Sequence, residues 1–138
     1  MARTDNYRQQ HNDLLEVATQ ISGKLNAQQL SEDASEVRRL LSTLLGKLRI
    51  HLATEDKALY PQLLSSTSDD AKHLAKRFID EIGGIGEVVG QYSKKWSSPL
   101  HIQKDSAAFV SETKSLFGAL ANRIEKENNE LYDYVDKM

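Results

Sequence analysis

The sequence contains no cysteine and only two prolines, Pro61 and Pro99. Without cysteine the chain cannot form a disulfide, a thiolate metal site, an iron–sulfur ligand or a cysteine nucleophile. Few prolines, 28% charged residues and frequent Leu, Glu, Lys and Gln are typical of an all-α protein. We therefore predict an all-α fold.

The sequence also has no stretch that approaches 18 consecutive apolar residues, so no membrane span is predicted. The first six residues lead into a polar helical pattern without the apolar core of a signal peptide, and we expect a cytoplasmic protein. The formal net charge is −2, with both signs interspersed rather than gathered into the basic stripe that nucleic-acid binding needs. We expect neither a nucleic-acid nor a membrane partner, and the sequence identifies no protein partner.

Four segments carry apolar residues at alternating steps of three and four, the spacing that places side chains on one helix face. The predicted helices span about 5–25, 34–64, 70–96 and 106–135. Because short connectors favour antiparallel neighbours, we predict one domain, 1–138, folded as an antiparallel up-down-up-down four-helix bundle. Pro61 is expected to kink or end the second helix near Tyr60.

The second and fourth predicted helices carry the same pattern, displaced by 72 residues (123 − 51 = 72 for the aligned pair His51 and Arg123). The other aligned pairs include Leu44 with Leu116, Gly46 with Gly118, Glu55 with Glu127, Leu59 with Leu131 and Tyr60 with Tyr132. The first and third helices match less specifically, mostly through shared periodicity. Two similar helical hairpins, and hence a pseudo-two-fold bundle, are predicted.

Five positions in these otherwise apolar helix faces are polar or charged. They are His11, His51, Glu55, Arg123 and Glu127. A buried charge is costly unless it is paired, protonated or bound to a metal ion. His11 lies early in the first helix, whereas the other four lie late in the second and fourth, so an antiparallel bundle brings all five to the same end. We predict one interior polar layer, which is how metal sites in helical bundles are built.

The stretch from His51 to Pro61, HLATEDKALYP, resembles the HxxxE…YP stretch of the hemerythrin and HHE cation-binding domain family. The stretch from Gln10 to Leu14, QHNDL, resembles the first-helix histidine of that family. The resemblance covers nearly the whole chain in length and helix order. It implies a four-helix bundle with a non-haem di-iron centre, with histidines from all four helices and carboxylates that bridge. It also implies a role in dioxygen binding or sensing, iron handling or repair of oxidative damage.

Two positions depart from the family pattern. Arg123 stands where the fourth helix should supply the histidine of HxxxE, and Ile82 stands where the third helix should supply another. Neither side chain has a lone pair to donate to a metal ion, although the neighbouring Glu81 could turn inward. We therefore predict an incomplete two-metal site. Its predicted metal ligands are His11, His51, Glu55 and Glu127, with Glu81 as a possible addition.

Two interpretations of this layer remain open. In the first, two histidines and one or two carboxylates hold a single non-haem ion, iron or alternatively manganese or zinc, in an oxygen-related or iron-handling binding protein. In the second, Arg123 is a permanent cation that neutralises Glu55 and Glu127 in a metal-free regulatory or interaction bundle. We expect a binding protein rather than an enzyme, because a di-metal oxidase or peroxidase would lack two ligands.

The remaining histidines are predicted to lie on the surface. The helical neighbours of His73 are charged, and His101 follows Pro99 in a predicted loop. The glycines at 83, 84 and 86 lie inside a helical pattern and follow no strand, so they do not predict a phosphate-binding loop. We expect them to allow close helix packing or a local kink.

Overall fold

A computed structural model describes residues 4–138, except for the side chain of Ile82. The described residues contain helices and no strand. The first helical arm is α1 (Asp5–Ser22), and the short α2 (Ala27–Glu32) follows it in the connector. The second arm consists of α3 (Ser35–Thr54), a π-helical turn (Glu55–Leu59) and α4 (Tyr60–Leu64).

The second half of the chain has a similar organisation. The third arm consists of α5 (Asp69–Ile82) and α6 (Ile85–Lys95), and the short α7 (Pro99–Lys104) follows in the connector. The fourth arm consists of α8 (Ser106–Lys126), a second π-helical turn (Glu127–Leu131) and α9 (Tyr132–Asp136). The predicted all-α class is confirmed. No helix among residues 4–138 is long and apolar enough to cross a membrane.

The four arms pack around a shared interior. α1 lies along α3 and also contacts α8, α5 contacts α4, and α6 contacts both α3 and α8. The first and last arms meet, because the Thr4 hydroxyl donates to the Asp136 carboxylate at 2.8 Å. The start of the first arm therefore lies beside the end of the fourth, which is consistent with a four-helix bundle.

Two apolar clusters fill the interior, and the polar layer lies between them along the second and fourth arms. The larger cluster is built mainly from α1, α3, α6 and α8 and ends on these arms at Leu52 and Ile124. The smaller cluster begins on the same arms at Leu59 and Leu131 and includes Phe78 from α5. Each fully buried large apolar side chain stabilises the fold by about 1.5–3 kcal/mol. These clusters offset the cost of removing the polar layer from water.

Of the two effects predicted for Pro61, an end of the second arm near Tyr60 is excluded, because Pro61 occupies the first turn of α4, a position that tolerates the missing N–H. The arm reaches Leu64, as its predicted span requires. Two other predictions are wrong. The third arm is not continuous over 70–96 but breaks at Gly83 and Gly84, where two residues of poor helix propensity adjoin. The segment after Pro99 is helical rather than a loop, with the Ser98 hydroxyl accepting the His101 N–H at 3.3 Å.

Candidate metal centre

The five polar residues of the helix faces converge in one buried layer, as predicted from the sequence. His11, Glu55 and Glu127 are 0% exposed, and His51 and Arg123 are 2% and 3% exposed. Three different arms contribute them, so the layer exists only in the folded bundle. Each charge in it therefore needs a partner that the protein itself, or a bound ion, provides.

Four of these side chains direct a potential ligand atom to the same place. The Nε2 atoms of His11 and His51 lie 3.0 Å apart. Glu55 Oε1 lies 2.8 Å from His51 Nε2, and Glu127 Oε1 lies 3.1 Å from His11 Nε2. All four atoms lie within 4.8 Å of one another. Two ligands that are each about 2.1 Å from one ion are at most about 4.2 Å apart. An ion would thus require only a small contraction, and these residues fit it.

Amide side chains hold both imidazole rings in place. His11 Nδ1 lies 2.9 Å from Asn128 Oδ1, and His51 Nδ1 bonds Gln10 Oε1. An amide oxygen only accepts, so each Nδ1 carries the proton and each neutral ring keeps a lone pair on Nε2. Histidines that bind metal ions are usually oriented through the second ring nitrogen in this way. When both rings are neutral, the two Nε2 lone pairs therefore face each other across the layer.

Arg123 links the same two carboxylates on its own side of the layer. Its Nη2 lies 3.3 Å from Glu55 Oε1, and its Nε lies 3.4 Å from Glu127 Oε2. Glu127 thus presents one oxygen to His11 and the other to the guanidinium. Each carboxylate connects a histidine to a cation, as a bridging carboxylate would connect two metal ions. Arg123 provides a permanent positive charge where the sequence lacks metal ligands.

The charges in the layer shift the pKa values of their neighbours. Burial alone would lower the pKa of His51, but the carboxylates of Glu127 and Glu55 outweigh it and raise that pKa to about 9. Burial raises the pKa of Glu55 to about 7. Burial also acts to raise the pKa of Glu127, but hydrogen bonds from His11 and His51 and the charge of Arg123 hold it below its usual range. Without a metal ion, His51 is therefore protonated at neutral pH, and its positive charge pairs with the carboxylates of Glu55 and Glu127.

Two tyrosine hydroxyls complete the hydrogen bonding of the carboxylates. Tyr60 donates to Glu127 Oε2 at 2.9 Å, and Tyr132 donates to Glu55 Oε2 at 3.0 Å. The Tyr132 oxygen also lies 3.2 Å from His11 Nε2. Burial, together with the negative charges of Glu127 and Glu55, raises the pKa of both phenols above the usual range. Both hydroxyls are therefore neutral donors in the metal-free layer.

The π-helical turns explain how these tyrosines reach the layer. Each turn begins at a layer carboxylate, Glu55 or Glu127, and the tyrosine follows directly after its end. Residues five apart do not share a face of a regular α-helix, but a turn with i→i+5 bonding brings them together. The two turns are 72 residues apart (127 − 55), which matches the internal repeat. The internal repeat is therefore present in the structure as well as in the sequence.

The other predicted positions lie elsewhere. Glu81 is exposed, its carboxylate lies 3.2 Å from Lys126 Nζ, and it does not belong to the group of four potential ligands. The side chain of Ile82 lies outside the described residues. His73 and His101 are exposed, as predicted.

A helical bundle with two histidines and two carboxylates in one buried layer has the construction of a metal-binding bundle. Over residues 3–135, nearly its whole length, the chain matches the family model described as the hemerythrin HHE cation binding domain. The chain therefore belongs to this family. No curated protein and no solved structure matches it significantly.

Proposed function

We propose that the protein binds one non-haem metal ion, iron in preference to manganese or zinc, in an oxygen-related or iron-handling role. The observation that carries the proposal is the pair of Nε2 atoms 3.0 Å apart in His11 and His51, both orientated as ligands. Glu55 and Glu127 complete a set of two nitrogens and two oxygens, which suits these ions. When bound, the ion would supply a Lewis-acidic, redox-active centre in a layer that excludes bulk water.

The proposal specifies one ion rather than two because of Arg123. An arginine is not deprotonated in a protein and cannot act as a ligand. Its guanidinium also repels a second cation from the side of the layer that it shares with Glu55 and Glu127. On that side of the layer no histidine could bind a second ion, because Arg123 stands where the family pattern has the histidine of the fourth helix.

A matched set of histidine variants tests the ligand assignment. His11→Gln and His51→Gln should each weaken binding of ferrous iron in anaerobic titration calorimetry, because each removes a ligand nitrogen. His73→Gln alters an exposed histidine and should bind as the unmodified chain does. Equal affinity in all three variants would place the ion elsewhere and overturn the assignment.

A second candidate function is a metal-free interaction bundle, and the contacts of Arg123 favour it. The guanidinium lies 3.3 Å and 3.4 Å from oxygens of Glu55 and Glu127, so it already neutralises part of the carboxylate charge. Under this alternative none of the three histidine variants changes metal content, because the unmodified chain retains no ion after loading.

A further inference from the structure

The proposed ion has a further potential ligand in the buried hydroxyl of Tyr132. We propose that Tyr132 binds the ion through its phenolate oxygen as a fifth ligand and makes the site selective for ferric iron. This inference rests on the proposed function. Its geometric basis is the 3.2 Å separation between the Tyr132 oxygen and His11 Nε2, a spacing that two ligands of one ion adopt.

The Tyr132 ring is held firmly in this position. Its side chain is 0% exposed. It stacks on His11 at 5.2 Å between ring centroids and on Tyr7 at 5.6 Å. The guanidinium of Arg8 lies 5.4 Å from its ring centroid. The hydroxyl therefore cannot turn away from the layer without disrupting several contacts.

The hydrogen bonds leave unshared electron pairs where a cation would bind. The single phenolic proton of Tyr132 points to Glu55 Oε2, so the oxygen presents lone pairs towards His11 Nε2. That nitrogen carries a lone pair as well, because Nδ1 of the same ring donates to Asn128. His51 Nε2, 3.0 Å from His11 Nε2, becomes the third such atom when the ion displaces the proton that it carries in the metal-free layer. A bound cation accepts electron density from all three.

The ligation requires the transfer of one proton and no electron. The phenolic O–H bond of Tyr132 breaks, and the oxygen forms a bond with the ion. Glu55 Oε2, 3.0 Å away, would be the first acceptor of the proton, and the net reaction releases that proton to bulk water. A phenolate beside two carboxylates gives three anionic oxygen ligands, a hard set that favours a trivalent over a divalent ion. The site therefore prefers ferric over ferrous iron.

Tyr60 differs from Tyr132, although it occupies the equivalent place after the first π-helical turn. Among the described contacts its hydroxyl meets Glu127 Oε2, on the side of Arg123, and no imidazole nitrogen. The geometry therefore favours Tyr132 as the ligand of this otherwise similar pair. Because Tyr60 donates to a proposed ligand carboxylate, the control variant is at Tyr92, a buried tyrosine whose hydroxyl bonds Thr113 outside the layer.

The experiment loads the full chain with ferrous iron, oxidises it in air and records visible absorption and resonance Raman spectra together with the iron content. We expect a phenolate-to-iron charge-transfer band whose enhanced vibrations shift when the protein contains ring-deuterated tyrosine. Tyr132→Phe should lose the band and retain one iron, whereas Tyr92→Phe should keep both the band and the iron. The deuterium shift in the unmodified chain decides whether a tyrosine binds even if Tyr132→Phe does not fold.

Three results would overturn the inference. Bound iron without the band would exclude a phenolate ligand while leaving the proposed function intact. A band that persists in Tyr132→Phe, or that disappears in Tyr92→Phe, would assign ligation to another tyrosine. Absence of iron from the loaded unmodified chain would overturn the proposed function together with this inference.

Discussion

His11 Nε2 and His51 Nε2 lie 3.0 Å apart in a buried layer, while the other nitrogen of each ring bonds an amide oxygen. Neutral imidazoles in this arrangement would place two lone pairs against each other. The bundle must therefore hold either a proton or a metal ion between them. The carboxylates of Glu127 and Glu55 raise the pKa of His51 to about 9 despite its burial, so a proton is expected at this position in the metal-free layer at neutral pH.

Metal binding should therefore release a proton and depend on pH. The ion competes with the proton of His51, so apparent affinity should rise between about pH 7 and pH 9 and level off above the His51 pKa of about 9. At pH 7 we expect about one proton released from His51 per ion, a further fraction from Glu55 and, where Tyr132 binds as a phenolate, one more from its hydroxyl. Calorimetry in buffers of different ionisation enthalpy measures this number. Affinity that is constant over this range would contradict the assignment of His51.

The same shift predicts a pH-dependent stability of the metal-free protein. The folded-state pKa of His51 is raised from 6.5 to about 9. The stabilising contribution of His51 is therefore fully present below pH 6.5 and is lost as the pH rises through 9. The difference in unfolding free energy between the unmodified chain and His51→Gln, measured with urea, should shrink across this range. A difference in unfolding free energy that grows with pH would contradict a raised pKa of His51 in the folded state.

Removal of Glu55 should destabilise the metal-free fold chiefly through Arg123. Glu55→Ala leaves the buried guanidinium without one of its acceptors, at a cost on the order of 3 kcal/mol. Glu55→Ala combined with Arg123→Met should cost less than Glu55→Ala alone, because the charge is removed as well. Urea denaturation of the two single variants and the double variant measures the coupling. Additive changes would show that the two side chains do not interact.

The exposed ion pair of Glu81 and Lys126 supplies the control for that cycle. The two side chains are 44% and 39% exposed, and water screens their attraction. Glu81→Ala should therefore change the unfolding free energy by less than about 1 kcal/mol. A loss of unfolding free energy as large as that of Glu55→Ala would show that the exposed pair and the buried pair contribute equally to stability.

The amides that orient the histidines should matter for metal affinity. Gln10→Leu and Asn128→Leu each remove the acceptor of a ligand histidine, and we expect roughly 10–100-fold weaker binding. Gln9→Leu is a matched control, because the Gln9 amide is exposed and donates to Asp13 instead. Competition with a chelator measures the three affinities. A loss in Gln9→Leu equal to that in Gln10→Leu would show that ring orientation is not responsible.

Replacement of Arg123 tests what limits the ion count. Arg123→His restores the HxxxE pattern of the fourth arm and removes the repelling charge, so a second, weaker ion should bind. Arg77→His, which alters an exposed arginine paired with Glu130, should leave the count unchanged. Calorimetric stoichiometry distinguishes the variants. A count of one in Arg123→His would show that arginine is not what excludes the second ion.

Periodicity predicted the parts of the site that follow a regular helix. The polar positions of the layer fall on the three-four spacing, so each was visible as a break in an apolar face. The offset of 72 residues also predicted that Glu55 and Glu127 are equivalent. Convergence of the five residues then followed from antiparallel packing of the arms. These predictions needed no knowledge of side-chain geometry.

The remaining features depend on local departures from the regular helix. Tyr60 and Tyr132 lie five residues after their carboxylates, a spacing that reaches the same face only through a π-helical turn. Gln10 and Asn128 resemble ordinary surface residues in the sequence, and only the folded geometry shows that they bond the histidines. The break at Gly83 likewise depends on local backbone conformation. Spacing rules alone do not identify these features.

Native mass spectrometry of the full chain after iron loading and removal of free metal, with elemental analysis of the same sample, counts the ions that the layer holds. We expect one iron per chain, lost when His11 and His51 are both changed to glutamine and retained in His73→Gln. Two irons per chain would contradict the exclusion of a second ion by Arg123. No retained iron would contradict metal binding itself and leave the Arg123 ion-pair cluster as the role of the layer.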